Sequence, residues 1–167
     1  MTTLKVYQYP HKVLREVTPI VTTFDDALLS MVKQMIATMY QDDGCGLAAP
    51  QVGSTLRLFV MDVSKEANQA QCFVNPDIVE SEGQIAREEG CLSLPGVYAK
   101  VTRAEKITVR YQDERGQSHT LTTDGLAAHC IQHELDHLNG ILNIDRLSKL
   151  KRALMLKKLE KVQKAAS

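Results

Sequence analysis

The chain has 167 residues, 44% hydrophobic and 24% charged, with 20 Lys/Arg balanced by 20 Asp/Glu. That length suits one domain spanning 1–167 with a proper core, and no apolar run is long enough for a membrane-spanning helix. The opening MTTLKVYQYPHKVL lacks a basic-then-apolar leader, so a cytoplasmic location is expected; Cys45, Cys72, Cys91 and Cys130 then read as buried or metal-binding thiols rather than a disulfide frame.

Residues 4–20 read as an irregular lead-in with a short helical piece near 11–17, stopped by Pro19. Thr23 followed by Asp26 suggests a capped start. Leu28, Val32, Met35 and Met39 then recur at helical spacing, predicting an amphipathic helix over 25–41. Its methionines suit core packing better than a sulfur-ligand site. Next comes the turn-rich segment 42–46, then Leu47-Ala48-Ala49-Pro50-Gln51. Glycines on both sides of Cys45 suggest backbone that another group approaches closely. It is not a phosphate loop, because the Lys-Ser/Thr pair is missing.

The stretch 56–62 (LRLFVMD) reads as a buried strand and 72–75 as another, closed by Pro76. Short strands are expected at 78–79 and 84–87 around Gly83. Glu88-Glu89-Gly90-Cys91-Leu92-Ser93-Leu94-Pro95-Gly96 is a second tight-backbone stretch with a cysteine inside. Ile107, Val109 and Tyr111 alternate along one strand, 113–116 makes a turn, and 117–123 returns as a hairpin. A helix over about 126–139 should end at Gly140. A last helix, 148–164, places Leu150, Leu154, Leu159 and Val162 on one side and its cations on the other. From Lys149 to Lys164 there are seven Lys/Arg and one Glu, so this end carries +6 and the remainder −6. Such a basic end could meet an acidic surface or nucleic acid without reading its sequence, although a solvated helix face would look the same. Short strands and turns precede a helix with no βαβ rhythm, so the class is α+β, with small antiparallel sheets around a central helix.

That central helix carries Gln132-His133-Glu134-Leu135-Asp136-His137. His133 and His137 are four apart and share a helix face, so both can hold one divalent ion, while Glu134 can move protons for water activated there. Five His and ten Glu in the chain give a chance occurrence of HExxH of roughly 1 in 100. Two ligands do not complete a site. His129, His133 and His137 cannot all bind one ion, because eight residues of helix rise about 12 Å, whereas ligands of one ion lie within roughly 4 Å of each other. The metzincin pattern HExxHxxGxxH keeps Gly140 but has Asn143 in place of the third His, and the only downstream Glu is Glu160, deep in the basic helix. Cys91 remains: a thiolate in a glycine-tight loop suits a borderline divalent ion, and a small buried hydrophobe is the alternative for it.

Taken together, GCGLAAPQ at 44–51, EGCLS at 89–93 and QHELDH at 132–137 resemble the three motifs of peptide deformylases, in order and spacing, most like the main bacterial subtype. The resemblance spans nearly the whole chain. It implies an amidohydrolase that removes the formyl group from N-formylmethionine at the start of new polypeptides. It implies Cys91, His133 and His137 as metal ligands, Glu134 as the proton carrier, and the Gln51 amide and Leu92 N–H as oxyanion donors. Cys45, Gly46 and Gly90 would offer backbone to an extended peptide, with His129 and Cys45 bordering the methionine side-chain pocket. Fe2+ is the expected metal, with Zn2+ or Ni2+ as substitutes. Cys45 and His129 depart from the family's commoner apolar residues. The basic C-terminal helix resembles the ribosome-docking helix of bacterial deformylases. Other readings are a zincin-type peptidase and a catalytically silent binding paralogue.

Overall fold

Leu28, Val32, Met35 and Met39 all lose their exposure in α1 (Asp26–Gln41), as their spacing requires. The computed structural model describes residues 2–167. The α1 cap is Asp25 rather than Thr23: its carboxylate accepts from the Leu28 N–H at 3.0 Å. The early helical piece is a single 3-10 turn, Lys12–Arg15.

Seven strands follow: β1 (Gly46–Ala48), β2 (Leu58–Met61), β3 (Gln71–Glu82), β4 (Ile85–Glu89), β5 (Ala99–Arg103), β6 (Lys106–Gln112) and β7 (Ser118–Asp124). Five of them form an antiparallel sheet in the order β1-β2-β3-β6-β7, and β4-β5 form a separate two-stranded ribbon. The helix α2 (Gly125–Leu138) packs on one face of the larger sheet, and α1 covers the other. The unbroken apolar run of β2 follows from this sandwich. Leu58 and Val60 join the α1-side core, whereas Phe59 and Met61 join the α2-side core with Phe73, Ile107 and Ile131. The class is α+β, as expected.

Four elements differ from the sequence reading. The strand at Cys72 does not stop at Pro76 but runs on to Glu82. The ladder to β6 slips between Val74 and Asp77, and Asn75 adopts a positive φ of 52°, so Pro76 sits at a bulge where its missing N–H is tolerated. The sequence reading has neither β1 nor β5: β1 is three residues beside a glycine-rich turn, and the alternation of β5 lasts only five residues. In α3 (Lys149–Ala166), Leu150 and Leu154 do not share the buried side: they are 72% and 56% exposed, while Leu159 is buried with Met155 and Leu156 packed near it. At about 100° per residue, Leu154 and Leu159 lie some 140° apart around the helix, so the apolar residues form two stripes.

Helix α2 ends as the sequence suggested. Asn139 caps it and Gly140 follows with φ 73°; a β-carbon there would lie 2.5 Å from the Arg15 carbonyl oxygen. Glycine is thus required both by conformation and by space. Gln132 fastens the helix to the turn before β6, accepting from the Ala104 N–H at 3.0 Å and donating to its carbonyl at 2.9 Å.

Candidate metal centre

His133 and His137 face one side of α2 with ring centroids 5.0 Å apart. Across from them, β4 delivers Gly90 and Cys91 to the same point. Cys91, His133 and His137 each present a ligand atom, and these atoms all lie within 4.8 Å of one another. The Cys91 Sγ to His137 Nε2 separation is 3.4 Å. Metal–sulfur and metal–nitrogen bonds of about 2.3 and 2.0–2.1 Å at tetrahedral angles would place such atoms about 3.5 Å apart. The donor set therefore fits a divalent ion. Asn143 holds no place in it: its amide donates to the Glu89 carbonyl at 3.4 Å.

His129 lies off this cluster, as helix geometry required. Its Nε2 is 2.6 Å from Glu89 Oε2, but out of hydrogen-bond alignment, and neither ring nitrogen has a partner. Burial lowers its pKa against the pull of Glu89. It borders the cavity beside the cluster together with Gly90, Leu92, Tyr98, Leu126 and Cys130.

The sequence reading gave no role to the charged frame behind the ligands. Glu89 accepts from His133 Nδ1 at 2.7 Å, which leaves the other ring nitrogen, Nε2, for the cluster. Arg103 on β5 forks onto both Glu89 oxygens and reaches Asp136 Oδ2 at 2.9 Å; Asp136 also receives Arg146. Burial would raise the Glu89 pKa, but hydrogen bonds from His133 and Arg103 outweigh it and hold the carboxyl at about 2. Burial likewise opposes charge on His133, yet Glu134, Cys91 and Glu89 around it raise its pKa well above the ordinary range. His137 moves the other way, lowered by burial and by His133.

Glu134 is buried with Oε1 unpartnered and Oε2 4.0 Å from His133 Nε2. Burial pushes its pKa up to about 7, with Cys45 and Glu89 adding to the rise and His133 opposing it. At the opposite rim, Gln51 sits in the 3-10 turn Ala49–Val52. Its Oε1 accepts the Ala48 N–H at 2.9 Å, turning Nε2 toward Ser93 Oγ (3.1 Å) and Cys91 Sγ (3.7 Å). Among the described residues no protein acceptor meets the Leu92 N–H.

The first strand, β1, forms one wall of this space. The Asp62 N–H donates to the Cys45 carbonyl at 2.9 Å, which carries the β1–β2 pairing one bond beyond its Gly46–Met61 end. Backbone groups alternate along a strand, so Gly46 turns its N–H and C=O to the open edge, as Ala48 turns its N–H to Gln51. The Cys45 carbonyl is thereby taken, while among the described residues no protein acceptor meets its N–H, and its thiol borders the cavity. A β-carbon on Gly46 would lie 2.5 Å from Glu134 Oε2 and 2.9 Å from Cys130 Sγ. Gly46→Ala is accordingly expected to cost about 1–3 kcal/mol by overpacking and to depress turnover through Glu134. A urea titration and an activity assay on the same preparation check both.

A cysteine sulfur, two imidazoles, a buried carboxylate of raised pKa and a fixed primary amide gathered at one place define the class: a metal-dependent hydrolase. The comparisons narrow it. The family profile described as Polypeptide deformylase matches residues 3–153, and the chain belongs to that family. It is 48% identical over 164 residues to a peptide deformylase of Chromobacterium violaceum, covering 98% of each chain. A peptide deformylase of Pseudoalteromonas translucida is also 48% identical, with 99% of each chain covered. The crystal structure of a peptide deformylase from Legionella pneumophila superposes with a TM-score of 0.95 at 44% identity, covering 99% of this chain and 98% of that one. The chain is therefore an enzyme, and neither the peptidase nor the silent-paralogue reading is favoured.

Proposed function

We propose that the enzyme removes the formyl group from the N-formylmethionine of new polypeptides through the Cys91, His133, His137 and Glu134 constellation, as one domain. The observation that carries this reading is Glu134, buried and partnerless at Oε1, beside a metal-competent cluster. A divalent ion on Cys91, His133 and His137 would polarise the formyl carbonyl and acidify the attacking water. Glu134 takes the proton of that water and returns it to the departing amine. The Gln51 Nε2 and the Leu92 N–H donate to the oxygen that becomes negative as the formyl carbon turns tetrahedral. The substrate lies extended along the open edge of β1, where Gly46 offers N–H and C=O, with Gly90 on the facing side. The methionine side chain enters the cavity bordered by His129, Leu126 and Cys45.

A thiolate with two imidazoles suits Fe2+, and Zn2+ or Ni2+ can replace it, with availability deciding in the cell. The test of the reaction is formate release from formyl-Met-Ala, with the unformylated dipeptide left intact. Cleavage of the dipeptide without formate release would point to the peptidase reading. Cys91→Ala is expected to leave the protein folded with less than one metal equivalent after dialysis; metal analysis reads this, and retention of a full equivalent would move the third ligand elsewhere.

The enzyme works in the cytoplasm, and no helix is long and apolar enough to cross a membrane. The cationic face of α3, with Leu150 and Leu154 exposed on it, docks on the ribosome. Reversing Lys157, Lys158 and Lys161 to Glu is expected to weaken co-sedimentation with ribosomes and flatten its salt dependence, while leaving formyl-Met-Ala hydrolysis unchanged. Equal co-sedimentation of the parent and the reversed protein would remove α3 from the interface.

A further inference from the structure

Two cysteines at the cavity rim take no part in the ligand cluster. Cys45 lies just before β1 and is exposed, and Cys130 is buried in α2. They are 85 residues apart in sequence, yet their sulfurs are 3.9 Å apart, and the Cys130 thiol also lies 3.8 Å from the Cys45 carbonyl. Cys72 sits in the core on the α1 side of the sheet, and Cys91 belongs to the ligand cluster. The pair thus joins an oxidant-accessible thiol to a shielded one within reach, which is the arrangement of an attacked and a resolving cysteine.

We propose that Cys45 and Cys130 are an oxidation site, closed by peroxides into a disulfide that ties β1 to α2 and shuts the substrate channel. The Cys45 sulfur attacks a peroxide oxygen, the O–O bond breaks, and water leaves, giving a sulfenic acid. The Cys130 sulfur then attacks the Cys45 sulfur, the S–O bond breaks and a second water leaves. With hydrogen peroxide, two thiols and one peroxide yield one disulfide and two waters, and a thiol reductant reverses the closure.

Bringing the sulfurs from 3.9 Å to a bond of about 2.05 Å requires Cys45 and the head of β1 to move toward α2. Gly46 is next in the chain and already packs on both Glu134 Oε2 and Cys130 Sγ. The movement therefore presses Gly46 onto Glu134 and displaces the strand edge on which the peptide would lie. The loss of activity rests on the proposed deformylation; the covalent site does not.

The two are separable in one experiment on the Ni2+-loaded enzyme, in which Cys91 is engaged. After treatment with hydrogen peroxide, intact mass should fall by two hydrogens, and subsequent alkylation should leave Cys45 and Cys130 unlabelled. Trypsin places each cysteine on its own peptide, so the expected product links residues 34–57 to 116–146. Formate release should drop by about 10–100-fold, the scale of a misplaced active-site element, and recover with dithiothreitol. A link involving residues 88–100, or separate alkylation of Cys45 and Cys130 after peroxide has inactivated the enzyme, overturns the site. Cys45→Ser and Cys130→Ser, each judged against its own untreated activity, should resist peroxide; inactivation as fast as in the parent overturns the gating. An enzyme that forms the link yet never releases formate condemns the proposed function instead.

Discussion

Replacing Glu134 with Gln is expected to lower formate release by about 10²–10⁴-fold, the usual contribution of a positioned acid–base group, while the protein keeps one metal equivalent. Glutamine preserves the volume of the buried side chain, and the proposed ligands Cys91, His133 and His137 stay in place, so fold and metal content should not follow activity. The pH profile gives a second readout. A base works only when deprotonated, and burial places the Glu134 pKa at about 7. Activity should therefore rise with pH along an acid limb set by Glu134, and a divalent cation beside the carboxylate must shift that limb below 7. In the Gln variant the limb should vanish along with the bulk of the rate. Formate release equal to the parent's, at any pH, would sink the role assigned to Glu134.

The ligand cluster was legible because its information is local or chemical. His133 and His137 are one helical turn apart, the Asn143 position excluded the nearest protease pattern, and the loop around Cys91 announced its tightness through Gly90, Pro95 and Gly96. The amphipathic register of α1 and the hairpin β6–β7 are local in the same sense. What escaped the sequence depends on pairings between distant segments. Glu89 and Arg103 meet only because β4 and β5 form a ribbon, and Asp136 joins them only because α2 crosses behind it. The run Ala99–Arg103 alternates over only five residues, too short a signal to stand as a strand until its partner is known. The open edge of β1 is similar: that Cys45 spends its carbonyl on Asp62 while Gly46 keeps its backbone free follows from register, which a one-residue slip would invert. Pro76 misled for the opposite reason. A local rule ends strands at proline, and the bulge at Asn75 lets this one continue.

Arg103→Met is expected to cost about 3–5 kcal/mol of stability, the range for breaking a buried ion pair by removing one partner. Arg103 is buried and bridges Glu89 and Asp136 with three side-chain hydrogen bonds. Methionine fills most of the same space but leaves two buried carboxylates without their shared cation, with Arg146 still on Asp136 and the His133 and His129 rings beside Glu89. The sign of the pH dependence follows from Glu89. Its folded pKa of about 2 lies below the ordinary glutamate value of about 4.3, so it adds stability above about 4.3 that is lost as pH falls toward 2. Without Arg103 the folded pKa rises, and this increment shrinks. The gap between parent and variant in urea titrations should thus be widest above pH 5 and narrow steadily below it. The cluster should feel the change too, because Glu89 fixes which nitrogen of His133 is left free to hold a metal. Metal affinity should fall by about 10–100-fold, the usual cost of losing a partner that orients a ligand, and competition with a chelator measures it. A variant as stable as the parent at pH 7, with unchanged affinity, would mean that His133 is oriented by its helix alone.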